Sequence, residues 1–213
     1  MPRWLAMVIV CVVALGSGWW IGVATRTPAT VSNLEIAGFV YPQPKALDEI
    51  DLTDHDNRPV DLARFQGRWT FVYLGYTYCP DVCPLTLIEL DKVQQGLSQS
   101  RFEDDIQYLF VSVDPRRDTL ERLREYTRYF NPKFVGATGS NEALTGFAQQ
   151  LGMLFFPVAE DQEDENYTVD HSSTVALIDP TARLHAVFSA PHSAAAIEEG
   201  LRKILKRWGD RAG

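Results

Sequence analysis

Lysine and arginine are in the minority in this chain, 20 residues against 28 aspartates and glutamates, for a formal net charge of -8 over 213 residues. Nothing in it resembles a basic stripe able to track phosphates, which excludes a nucleic-acid binder. Cysteine is scarcer still, at three residues. That is too few for the disulfide frameworks that hold small secreted domains together. No self-similarity recurs at roughly 20 to 50 residues, so repeat architectures are excluded as well.

Long apolar runs are also missing, with one exception. Residues 4–24 carry no charge and offer about 20 apolar or small side chains, enough to cross a hydrocarbon core of roughly 30 Å. The run continues through Trp19, Trp20 and Ile21, longer than a secretory signal allows, and the nearest cleavage-like site, around Ala24, is poor. Cys11 follows Val10 rather than the small residue a lipoprotein would need. With three residues ahead of the run, there is no room for a transit peptide. The reading is a single uncleaved anchor in a bacterial inner membrane: residues 1–3 cytoplasmic, 4–24 transmembrane, 25–45 a linker and extended lead-in. Residues 46–208 form one periplasmic domain and 209–213 a C-terminal tail.

Within that domain, with 46% hydrophobic residues in the chain to supply its core, residues 69–74 (WTFVYL) read as a strand buried on both faces. Leu87, Leu90, Val93 and Leu97 recur at helical spacing, with Pro84 acceptable in the first turn. A second buried strand is predicted over 106–113 and a helix carrying Leu120, Leu123, Thr127 and Phe130, with Asp118 as its N-cap. A short strand over 134–137 precedes a helix from Ser140 to Gly152. Strands follow at 153–158, 174–178 and 184–188, with an acidic loop at 160–166 and a closing helix on Ile197, Leu201, Ile204 and Trp208. Residues 54–59 read as a hairpin turn. Strands alternating with helices predict an α/β three-layer sandwich of thioredoxin-like arrangement.

Cys79 and Cys83 join the buried strand to a helix N-terminus, where free N–H groups and the macrodipole favour a thiolate. A thiolate is both a nucleophile and a soft metal ligand. Thioredoxin-type exchangers have two residues between their cysteines; this chain has three. Among four histidines, His55 lies in a polar turn and His192 beside Pro191 at the start of the closing helix, both expected to be solvated, and His185 sits in a strand as a packed or edge residue. His171, just before the strand at 174, belongs to the loop that overlies the cysteine turn in such a sandwich. Asp170 or Asp114 could orient its imidazole or simply serve a turn. Two thiolates and an imidazole suit Cu(I) and also Cu(II), and a structural zinc would want a fourth ligand that is not evident.

The segments 75–84 (GYTYCPDVCP), 111–119 (VSVDPRRDT), 134–140 (FVGATGS) and 167–175 (YTVDHSSTV) together resemble the Sco (SenC/PrrC) family of copper chaperones. The resemblance implies a thioredoxin-like fold behind one anchor, with copper at Cys79, Cys83 and His171. It also implies delivery to, or thiol reduction of, the dinuclear copper site on a cytochrome c oxidase subunit, with copper supplied by an upstream periplasmic donor. Some relatives have His where this chain has Tyr78, a position outside the family's ligand set. Two functions therefore stand. One is a binding and transfer protein without turnover; the other is a dedicated thiol–disulfide reductase in which Cys79 or Cys83 is the nucleophile.

Overall fold

The computed structural model describes residues 34–98, 100, 102–156 and 167–212. The anchor expected over 4–24, residues 25–33 of the linker, and the acidic loop at 160–166 lie outside the described residues. Among the described residues no helix is long and apolar enough to cross a membrane.

One sheet of eight strands organises the domain, in the order β1-β8-β7-β4-β5-β6-β2-β3. The strands are β1 (Gly38–Ala46), β2 (Leu52–Asp54), β3 (Pro59–Val60), β4 (Trp69–Gly75), β5 (Ile106–Ser112), β6 (Phe134–Thr138), β7 (Val175–Asp179) and β8 (Arg183–Phe188). The helices are α1 (Leu62–Phe65), α2 (Val82–Leu97), α3 (Leu120–Phe130), α4 (Asn141–Gln150) and α5 (Ala194–Ala212). β4 pairs in parallel with β5, and β5 with β6; β7 joins β4 from the other side, antiparallel. All seven residues of β4 are buried. Successive side chains of a strand point to opposite faces, so such a strand needs cover on both. On one face Phe71 packs with Tyr108 and Phe188, Tyr73 with Phe110, and Trp69 meets Trp208 of α5. That face is the one α2 covers, since Cys83 of α2 lies against Gly75. The opposite face buries Thr70, Val72 and Leu74.

Three elements differ from expectation. The lead-in over 39–44 is extended but also paired, as strand β1 along β8, with its register broken between Val40 and Lys45. Pro42 and Pro44 lack N–H groups, which restricts such a segment to a sheet edge. Of the strand expected over 153–158, residues 157 and 158 lie outside the described residues; 153–156 form no sheet strand, and a single bridge pairs Phe155 with His171. Met153 and Phe155 are buried while Leu154 and Phe156 are exposed, so the segment buries alternate side chains but pairs only with the histidine loop. Finally, the N-cap of α3 is Thr119, whose side chain accepts from the Arg122 N–H. Asp118, one residue earlier, is buried at 1% exposure and has a different task. The other predicted helices and strands are present within a residue or two.

Phe147 of α4 is fully buried, with its ring 6.2 Å from that of Phe65 in α1. Replacing it by alanine should lower unfolding free energy by about 3–5 kcal/mol through lost transfer energy and a residual cavity. Urea denaturation should show an earlier midpoint with unchanged slope.

Candidate metal centre

β4 ends at Gly75, and the chain turns through Tyr76–Pro80 into α2. Gly75 is required there: a Cβ would sit 2.7 Å from the Phe110 ring and 2.9 Å from Cys83 Sγ. That close approach places Cys83, wholly buried, in the first turn of α2. Asp81 stands at the N-cap but makes no side-chain capping bond, so the first N–H groups of the helix are open to another acceptor. Cys79 takes that role, with backbone hydrogen bonds from Asp81 and Cys83. The expected use of the helix N-terminus is therefore met.

His171 arrives from the other end of the sequence. Its Nε2 lies 3.4 Å from Cys83 Sγ. Its Nδ1 lies 3.1 Å from the Ser172 carbonyl oxygen, which can only accept, so Nδ1 carries a hydrogen and Nε2 is the nitrogen that faces the sulfurs. Tyr73 and Tyr76 present ring edges to the imidazole at 6.1 and 5.9 Å. The three donor atoms of Cys79, Cys83 and His171 lie within 4.8 Å of one another. Ligands held at roughly 2.0–2.3 Å from one ion form a triangle of that size after a small adjustment. The site is two sulfurs and one nitrogen, soft and nearly buried, which fits copper better than a hard cation.

Both cysteines are free thiols, and their environments push them apart. Cys79 falls to about 5, first because Cys83 donates a hydrogen bond to its sulfur and then through N–H groups of the helix, against an opposing cost of burial. Cys83 is pushed up, because it gives its proton to that bond and because it is buried. Tyr73 Oη also donates to Cys83 Sγ, at 3.8 Å. The pair thus holds one negative charge and one proton at neutral pH, with the charge on Cys79.

Two polar clusters support this geometry, and neither was legible beforehand. Asp118 accepts from the Thr77 N–H at 2.9 Å, the Thr77 hydroxyl at 2.6 Å and the Ser112 hydroxyl at 2.5 Å. It ties the cysteine turn to the end of β5 rather than capping α3. Asp114 pairs with Arg117 and accepts from the Tyr167 hydroxyl at 2.7 Å, so neither it nor Asp170 orients His171; the Ser172 carbonyl does. The segment 111–119 marked the region, but no pattern in it distinguishes a buried carboxylate from a turn residue. Tyr78 is 48% exposed and carries Arg122 and Arg117 over its ring at 4.1 and 4.7 Å.

The remaining histidines correct the expectation of solvation. His55 is 4% exposed and its Nδ1 accepts from the Gly136 N–H; burial lowers its pKa. His192 is half-buried and its Nε2–H donates to the Ser173 carbonyl at 2.7 Å. His185 packs between Trp69 and Trp208, with Nδ1 3.2 Å from Asp179, as its strand position suggested.

The charge division of the pair is testable by alkylation of the reduced, metal-free chain. The rate at Cys79 should stay high down to about pH 5 and fall below it, where an ordinary thiol has already lost reactivity below about 8.5. In Cys83→Ala the donated hydrogen bond is gone, so the midpoint should move toward the ordinary thiol value; an unmoved midpoint would assign the shift to the helix alone.

Comparison with known proteins agrees with this geometry. The SCO1/SenC family model matches residues 42–206. An SCO2-like protein of Rickettsia prowazekii is 34% identical over 149 residues, covering 70% of this chain and 72% of its own. The mitochondrial SCO2 homolog of Bos taurus is 33% identical over 157 residues, 74% of this chain and 59% of the bovine protein. The crystal structure of Arabidopsis thaliana ScoI with copper bound has 32% sequence identity and a TM-score of 0.68, and the match covers 75% of this chain and 98% of that one. A family match over most of the chain, thioredoxin-like neighbours and a Cys-Cys-His cluster at the expected positions lead to one conclusion: this chain is a member of the SCO1/SenC family.

Proposed function

We propose that this chain binds copper through Cys79, Cys83 and His171 and passes it to the dinuclear copper site of a cytochrome c oxidase subunit. The observation that carries the reading is the convergence of two sulfurs and an imidazole nitrogen within 4.8 Å. Copper is the cargo. Cys79 is already a thiolate, and His171 already turns Nε2 toward the sulfurs, so binding requires that the Cys83 proton leave. Chelation by soft donors suits Cu(I), and the sulfur–nitrogen set also accommodates Cu(II). Cys79 is the more exposed of the two site cysteines, at 9% against 0%, and is where an incoming ligand from a partner would first reach the ion. In this reading residues 4–24 anchor the domain to a bacterial inner membrane and hold it in the periplasm, where a donor loads it.

A second reading is favoured by the cysteine electrostatics. Cys79 as thiolate can attack a partner disulfide, forming a mixed disulfide and expelling one partner thiolate. Cys83 then attacks Cys79, its proton passing to the second partner sulfur as that leaves. The chain's pair ends oxidised and the partner's two cysteines reduced. That would keep the partner's copper ligands able to receive metal.

The two readings separate by residue. In His171→Ala, copper bound per chain and the sulfur-to-Cu(II) charge-transfer absorption should be lost while the circular dichroism spectrum is kept. Cys79→Ser and Cys83→Ser should do the same. Disulfide exchange should vanish in the cysteine variants and persist in His171→Ala. Copper affinity equal to the parent's in His171→Ala would overturn the three-ligand site.

A further inference from the structure

The donors come from two loops far apart in sequence, and one guanidinium touches both. Arg117 lies in the connection between β5 and α3. Its guanidinium carbon is 3.5 Å from the centroid of the Tyr167 ring, 4.7 Å from that of Tyr78 and 5.6 Å from that of Tyr76. Tyr76 and Tyr78 belong to the turn that delivers Cys79; Tyr167 opens the strap that delivers His171.

Hydrogen bonds close the arrangement. Arg117 Nε donates to Asp114 Oδ2 at 2.5 Å, and one terminal nitrogen donates to the Tyr167 carbonyl at 3.0 Å. The Tyr167 hydroxyl donates to the other Asp114 oxygen at 2.7 Å. Asp114 is buried, so one carboxylate fixes both the arginine and the tyrosine. The far end of the strap is held separately: the Phe156 N–H donates to the Asp170 carbonyl, the Ser172 N–H to the Leu154 carbonyl, and His192 to the Ser173 carbonyl. Asp170 and Ser172 flank His171, so these bonds bracket the imidazole while Tyr167 fixes the strap three residues ahead of them.

We propose that Arg117 and Tyr167 are positioning residues forming a latch that sets how long His171 stays on a bound ion. With the latch closed, the imidazole is held over the two sulfurs. With it open, the leading end of the strap is released and His171 departs first, leaving a two-sulfur site from which a partner's ligands take the metal. The inference rests on the copper reading above and adds control of release to it. Residues that orient metal ligands without touching the metal commonly change metal affinity by about ten- to a hundredfold when altered. A planar, stacked guanidinium has no equivalent in lysine.

The test uses the full chain in detergent, loaded with Cu(II) alone. Release to a chelator is followed by loss of the sulfur-to-copper absorption, and the melting temperature of the metal-free chain is measured in parallel. Tyr167→Phe keeps the ring beneath Arg117 and removes only the hydroxyl that bonds Asp114. Arg117→Lys keeps the charge and removes the stack. Release should quicken severalfold in Tyr167→Phe and about tenfold or more in Arg117→Lys, with the melting temperature of metal-free Tyr167→Phe equal to the parent's. Parent-like release in both variants overturns the latch and leaves the copper reading intact. Faster release that tracks a matching fall in melting temperature also overturns it, since the two residues then merely support the fold. A parent that takes up no Cu(II) overturns the copper reading and the latch together.

Discussion

The first turn of α2 presses against the end of β4 at Gly75, and the rest of the site depends on that contact. No side chain fits there, because Phe110 and Cys83 Sγ occupy the space a Cβ would need. The sulfur is thereby sealed from water, beneath Tyr73 and beside His171. Cys83 keeps its proton first because it shares it with Cys79 and then because it is buried. A protonated Cys83 then donates to Cys79, and Cys79 becomes the thiolate. One steric constraint thus divides the roles of two chemically identical residues.

Holding the donors together requires polar groups inside the fold. Asp118 spends three hydrogen bonds on Thr77 and Ser112, and Asp114 binds Arg117 and Tyr167. Burial raises the Asp118 pKa despite those donors, so its ionised form carries a desolvation cost that only a satisfied network offsets. Such networks are poor sources of stability but good sources of geometry. Stability comes instead from the apolar sheet faces, where Phe71, Tyr73, Phe110 and Phe188 are almost fully enclosed.

Much of the fold was legible because it repeats with a period. Residues 69–74 are continuously apolar, Leu87, Leu90, Val93 and Leu97 share a helical stripe, and Ser140 is a good cap. Errors fell where a local signal had two physical explanations. Asp118 precedes a helix, as an N-cap would, but Thr119 caps it and frees Asp118 for burial. Residues 153–156 are continuously apolar, as a strand can be, but their partner is the histidine strap. His55 looks like a turn residue, yet its ring fills the space beside Gly136 and Thr127.

The chemistry of the donors was determined by the sequence alone, because two cysteines after a buried strand and before a helix leave few alternatives. Spacing placed them on a helix N-terminus, and the order of elements brought His171 over them. Tertiary structure alone decided which cysteine holds the charge, since that follows from the space around Gly75. It also decided which groups hold the loops: Asp114, Arg117 and Tyr167 meet across 53 residues of chain, and no local rule encodes so distant a hydrogen bond.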